Sequence, residues 1–123
     1  MPTTVLIAED EPHILTLLRF KLRDAGFDVI PADDGLKALD LARTHKPDII
    51  LLDVMMPLVN GYQVLETLRK DAELNNTPVI MLTAKSLQRE IDEAMAKGAT
   101  DYIVKPFNPA DLIERIQQIL GKR

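Results

Sequence analysis

The chain is 123 residues long, 46% hydrophobic and 28% charged, which suits one globular domain with enough apolar material for a core of its own. It has no cysteine, so a disulfide framework and thiolate metal sites are excluded. Its net charge of −4 disfavours non-specific nucleic-acid binding, which relies on Lys and Arg neutralising phosphates.

Met1 to Thr4 lead straight into an apolar run with no basic segment ahead of it, so no secretion signal is read. No apolar run approaches the ~18 residues of a membrane span, and a cytoplasmic location is expected. The first strand is expected at Val5-Leu6-Ile7. A one-sided helical stripe of Ile14, Leu17, Leu18, Leu22 and Ala25 follows and ends at Gly26. Phe27 to Ile30 reads as a second strand. A weaker helix from Leu36 to His45 rests on Ala38, Leu39 and Ala42. Asp48 to Leu52 is the third strand. The third helix, about Gly61 to Lys70, carries Val64, Leu65 and Leu68, and opens on Asn60 with Gln63 three later, the pattern of a capping box. Pro78 to Leu82 is the fourth strand; Leu87, Ile91, Ala94 and Met95 stripe the fourth helix before Gly98. Tyr102 to Val104 is the fifth strand. Asn108-Pro109, with Asp111 in the first turn, opens a last helix striped by Leu112, Ile116, Ile119 and Leu120.

The third and fourth strands are almost continuously apolar, as strands covered on both faces of a parallel sheet are. Alternating βα units predict an open, doubly wound α/β sheet with helices on both faces; a (β/α)₈ barrel needs roughly twice the length. In such sheets ligands bind at the carboxyl ends of the strands. Glu9-Asp10-Glu11, Asp53, Thr83-Ala84 and Lys105-Pro106 follow the first, third, fourth and fifth strands.

Taken singly, each of these residues has an ordinary explanation: a strand-end Asp caps the next helix as often as not. Together they bring acids, a hydroxyl and a lysine to one edge. Clustered carboxylates repel unless a proton or a cation neutralises them, and hard oxygen ligands suit Mg²⁺ with several waters retained. His13 and His45 have no partner at ligand spacing and read as structural or solvated. The methionines read as core filler. A carboxylate can attack phosphorus to form an acyl phosphate, a reaction that needs mostly positioning and charge neutralisation. No glycine-rich nucleotide loop is present, so ATP is not the expected direct donor.

These residues resemble the receiver domain of bacterial two-component response regulators, the CheY-like superfamily. The motifs are Leu6-Ile7-Ala8-Glu9-Asp10-Glu11, Leu51-Leu52-Asp53-Val54-Met55-Met56-Pro57 with Asn60-Gly61, Met81-Leu82-Thr83-Ala84, and Tyr102-Ile103-Val104-Lys105-Pro106-Phe107. The resemblance implies one receiver domain over residues 1–123 and a flavodoxin-like (βα)₅ fold, a five-stranded parallel sheet of order 2-1-3-4-5. It implies that Asp53 accepts a phosphoryl group from a phosphohistidine on a sensor histidine kinase or histidine phosphotransfer protein. Asp10, Asp53 and the Met55 carbonyl would hold Mg²⁺, with Glu9 close by and acting through water. Thr83 and Lys105 would contact the phosphoryl group, and Thr83 and Tyr102 would relay the change to the face formed by the fourth helix, fifth strand and fifth helix. A cis bond at Lys105–Pro106 is implied by the resemblance alone. Such a protein is a regulatory switch rather than an enzyme, catalysing only its own phosphorylation and slow dephosphorylation. It would act on a downstream effector, with no direct nucleic-acid or membrane partner, as a monomer or a phosphorylation-dependent dimer.

Two positions depart from the commonest family pattern. Glu9-Asp10 stands where two aspartates are frequent, and Asn60 where an aspartate often precedes the glycine. Met55 and Lys85 occupy positions that tune phosphoryl lifetime; an apolar Met55 shielding the site and a stabilising Lys85 would make a long-lived phospho-form. Other readings fit less well. A phosphatase with an aspartate nucleophile typically carries a second aspartate where Met55 stands. A pseudo-receiver that binds partners without phosphorylation would normally lack Asp10, Asp53 or Lys105. A flavin carrier would meet an acidic turn that repels the flavin phosphate.

Overall fold

A computed structural model describes residues 3–84 and 88–121. Strands and helices alternate along the chain: β1 (Thr4–Ala8), α1 (Pro12–Asp24), β2 (Asp28–Ala32), α2 (Gly35–His45), β3 (Ile49–Asp53), α3 (Gly61–Lys70), β4 (Val79–Thr83), α4 (Gln88–Ala96), β5 (Asp101–Val104) and α5 (Pro109–Gly121). All strand pairings are parallel, and the sheet has five strands in the order β2-β1-β3-β4-β5. The chain leaves β1 toward one edge and returns to its other side at β3. The carboxyl ends of β1 and β3 therefore flank the point where strand order reverses.

The alternating geometry of a strand sends successive side chains to opposite faces. Leu6, Ala8, Ile50, Leu52, Val79 and Met81 pack on one side with Ala38, Leu39, Val64, Leu65, Leu68 and Ala94 from α2, α3 and α4. Val5, Ile7, Ile49, Leu51, Ile80 and Leu82 pack on the other with Leu18 and Leu22 of α1 and Leu112 and Ile116 of α5. Because both faces are covered, β3 and β4 are buried along their whole length. Truncating any of these leucines to alanine removes transfer energy and leaves a cavity, at a cost of about 2–5 kcal/mol.

The helix ends follow local chemistry. Asn60 Oδ1 accepts from Gln63 N–H and Gln63 Oε1 accepts from Asn60 N–H, both at 2.9 Å, completing the expected capping box. Asn108 Oδ1 accepts from Ala110 N–H at 2.9 Å. Gly26 and Gly98 take φ of +96° and +103°, the left-handed turn that ends a helix at little cost only in glycine.

Some elements differ from the sequence expectation. The second strand runs on through Pro31 to Ala32, where the reading stopped at Ile30; β2 is an edge strand, where a missing N–H breaks no ladder. Asp53 and Thr83 are the last residues of their strands, not the first residues after them. In α1, Leu18 and Leu22 are buried but Leu17 is 45% exposed, and Ala25 is the exposed C-cap. The methionines are not uniformly core: Met56 and Met81 are buried, whereas Met55 is 67% and Met95 44% exposed. Both histidines are exposed, as expected. Met1, Lys85 and Leu87 lie outside the described residues. Among the described residues, no helix is long and apolar enough to cross a membrane.

Candidate functional site

The last residue of β3 carries the central acid. Asp53 is 5% exposed, at the end of a strand with no other polar residue. The backbone around it is enclosed. Val54 N–H donates to Leu82 O of β4 at 3.0 Å, and Gly61 N–H donates back to Val54 O at 2.9 Å. A Cβ on Gly61 would lie 2.4 Å from the Asp53 carbonyl oxygen, so only glycine lets α3 begin this close to the acid. Met55 N–H points at Asp53 Oδ1 from 3.3 Å, a long contact that biases the carboxylate's orientation more than it binds it.

From the end of β1 comes Glu9, a fully buried carboxylate. Its Oε2 accepts from Glu11 N–H at 3.1 Å. Its Oε1 lies 2.7 Å from Lys105 Nζ, yet has no well-aligned hydrogen bond among the described residues; charge attraction is what holds it. Lys105, following β5, also stands 3.2 Å from Asp53 Oδ1. One ammonium thus spans two buried carboxylates, an arrangement a lysine this deep needs to remain charged. Burial pulls its pKa down, but Glu9 and Asp53 outweigh that and raise it. Asp53 is pushed up to about 7, first by burial, then by its hydrogen bond to Glu9 and the Glu9 charge, with Lys105 opposing and Asp10 adding.

Asp10 is exposed, and its carboxylate completes the group: oxygens of Glu9, Asp10 and Asp53 all lie within 4.8 Å of one another. Two buried acids and one open to solvent form a half-open, all-oxygen donor set. That fits a hard divalent cation that keeps part of its water shell. An under-bonded buried Glu9 oxygen and a proton-hungry Asp53 are what such a site looks like before its charge is met.

The structure brings Glu9, Asp10, Asp53 and Lys105 together. Thr83, buried at the end of β4, is one residue past Leu82, the register partner of Asp53. Tyr102 of β5 is half-buried beside a cavity of about 10 Å³ that it shares with Thr83, Val54, Met81 and Ala94. Glu11 does not join the acids. It is the N-cap of α1, its carboxylate accepting from His13 and Ile14 N–H at 3.2 and 2.9 Å, which lowers its pKa. The Met55 side chain projects into solvent. The Lys105–Pro106 bond is cis. Complete burial of Glu9 and its pairing with Lys105 had no signature in the sequence; three adjacent acids after a strand do not announce which one turns inward.

The model of the response regulator receiver domain matches residues 5–117. The chain belongs to that family. It is 42% identical over 99% of its length to the alkaline phosphatase synthesis transcriptional regulatory protein PhoP of Bacillus subtilis, covering 50% of that protein. It is 39% identical to the polar-differentiation response regulator DivK of Brucella anthropi, covering 98% of each chain. This receiver also superposes, with a TM-score of 0.90 and 31% identity, on the receiver domain of a sensor histidine kinase from Pseudomonas aeruginosa, over 98% of this chain and 99% of that one; that structure has a magnesium ion coordinated in its active-site cleft. The receiver thus spans about half the length of PhoP and nearly all of DivK.

Proposed function

We propose that Asp53 is the phosphoacceptor of a phosphorelay and that the chain is a cytoplasmic switch of this kind. The observation that carries the reading is one lysine ammonium shared by Asp53 and Glu9, with Asp10 alongside, in a receiver domain. A carboxylate oxygen of Asp53 attacks the phosphorus of a phosphohistidine. The P–N bond breaks, the imidazole nitrogen keeps the electron pair, and an acyl phosphate forms. Asp10, Asp53 and the Met55 carbonyl are the residues that would hold Mg²⁺, with Glu9 acting through water. Bound there, Mg²⁺ supplies positive charge for the transferring oxygens.

The remaining work falls to the chain's own groups. Lys105, paired with two acids at rest, moves its charge onto the phosphoryl oxygens while keeping Glu9 as its other partner. The Thr83 hydroxyl donates to the same oxygens. Tyr102 follows inward, but a cavity of about 10 Å³ does not hold a phenol ring. The swing therefore requires α4, which closes the cavity through Ile91 and Ala94, to give way. Phosphorylation on this reading is felt first at α4 and then on the face α4 shares with β5 and α5. A histidine kinase or phosphotransfer protein is the donor, and a downstream effector protein or domain reads the changed face.

Exposure to a small acyl-phosphate donor with MgCl₂, followed by intact-mass measurement, tests this. One phosphoryl group is expected on the wild-type chain and none on Asp53→Asn. A wild-type chain that gains nothing, or a variant that gains as much, removes the reading.

A further inference from the structure

Gly35 stands at the first position of α2, behind its N-cap Asp34, whose carboxylate accepts from Lys37 N–H at 2.8 Å. Its backbone is not left-handed, so conformational freedom does not explain a glycine here. Alanine is the better helix former, which leaves space as the reason. A Cβ on Gly35 would lie 2.0 Å from the Val59 carbonyl oxygen and 2.8 Å from both its carbonyl carbon and its Cβ. The obstacle is backbone, not the tip of a flexible side chain, so no rotamer change relieves it.

Val59 belongs to the β3–α3 loop, the segment that carries Met55. That loop is tied down at its start by Val54 N–H to Leu82 O, and its end is returned to its start by Gly61 N–H to Val54 O. Between these ties it makes a sharp reversal: Val59 N–H donates to Pro57 O at 2.8 Å, across Leu58 held at φ +69°. A non-glycine residue there is strained and persists only when its surroundings impose it. On its outer limb the first turn of α2 lies directly against this loop, Gly35 against Val59, and Val59 also packs on the core.

We propose that Gly35 is a positioning residue for the metal-holding loop: the bare first turn of α2 seats the Val59 carbonyl and so fixes where Met55 lies relative to Asp53. This rests on the Mg²⁺ reading of the site given above. The second strand's turn into α2 contributes no ligand, yet it would set the affinity of a site built from β1, β3 and the loop after β3.

MgCl₂ titrations followed by amide NMR and by thermal melting test it, on the wild type, Gly35→Ala and Leu36→Ala, whose side chain is 49% exposed on the same turn. The expected result is a native circular dichroism spectrum for all three in chelator, with Mg²⁺ binding weakened about tenfold in Gly35→Ala alone, as when a group supporting a metal ligand is disturbed. In the unmodified chain the Gly35 and Val59 amides should titrate with the same midpoint as those of Asp53 and Met55. Wild-type affinity in Gly35→Ala overturns the proposal. So do Gly35 and Val59 amides that stay still while Asp53 and Met55 shift, and that measurement decides alone if Gly35→Ala does not fold. A wild-type chain that ignores MgCl₂ overturns the metal reading itself.

Discussion

Lys105 Nζ lies 2.7 Å from Oε1 of Glu9, a carboxylate with no exposed surface. The pair joins the ends of β5 and β1, which are not neighbours in the sheet. It therefore closes the carboxyl edge across β3 and β4, with Asp53 caught between.

Removing the lysine should expose what it neutralises. Lys105→Met leaves Glu9 buried without a counter-charge and should cost about 3 kcal/mol in metal-free buffer, the range for breaking a buried pair from one side. Adding Glu9→Gln should recover most of that loss. Urea unfolding of both single variants and the double variant gives the coupling energy; additive losses would mean the contact carries no weight.

The pH dependence has a definite sign. Asp53 binds its proton more tightly folded, with a pKa pushed up to about 7 from 3.8. Its contribution to stability is therefore fully present below about pH 4 and lost as pH rises toward 7. In chelator, the melting temperature of Asp53→Asn minus that of wild type should grow across this window and level off above it. A difference that stays flat from pH 4 to 8 would rule out proton uptake by Asp53.

Cation binding should reverse the same penalty. Millimolar MgCl₂ should raise the wild-type melting temperature at pH 7.5, because preferential binding to the native state stabilises it by about 2.7 kcal/mol at a hundredfold excess over the dissociation constant. Asp10→Asn and Asp53→Asn should each lose most of that shift.

The proposed inward swing of Tyr102 can be blocked by packing. Ala94 is buried beside the small cavity, and Ala94→Val should fill it at a cost of about 1–3 kcal/mol. Phosphoryl uptake at Asp53 should persist, while the Tyr102 ring resonances should no longer shift on phosphorylation. Loss of uptake together with the shift would mean the cavity serves the chemistry rather than the relay.

Away from the site, Arg69 offers a control. Its half-buried guanidinium donates to Gly98 O at 2.9 Å, Thr77 O at 2.8 Å and Asn75 O at 3.3 Å, tying α3 to the turn before β4 and to the turn between α4 and β5. Arg69→Ala should cost about 2–3 kcal/mol, because carbonyls lose a charged donor, and should leave phosphorylation unchanged.

Much of this was legible beforehand because the governing signals are local. Apolar runs marked β3 and β4, and helix caps at Asn60 and Asn108 stood in plain view. What escaped depends on tertiary position. The sequence marks the second strand only to Ile30, and its run through Pro31 to Ala32 is possible because β2 is an edge. Leu17 and Met95 are apolar residues on stripes wider than the surface available to bury them. Glu9, Asp10 and Glu11 are alike as sequence. The turn after β1 sends one inward to Lys105, leaves one at the open rim and spends one capping α1. Gly35 was silent because its reason is a carbonyl contributed by a distant loop.

The acids and the lysine come from positions that span nearly the whole chain: Glu9 and Asp10 close to its start, Asp53 midway, Lys105 near its end. A fragment lacking the fifth strand has no Lys105 to set beside Asp53, and no partly assembled sheet can hold all three carboxylates in register. A partly folded copy therefore lacks the assembled site, and order at this edge reports that the sheet has closed from β1 through β5.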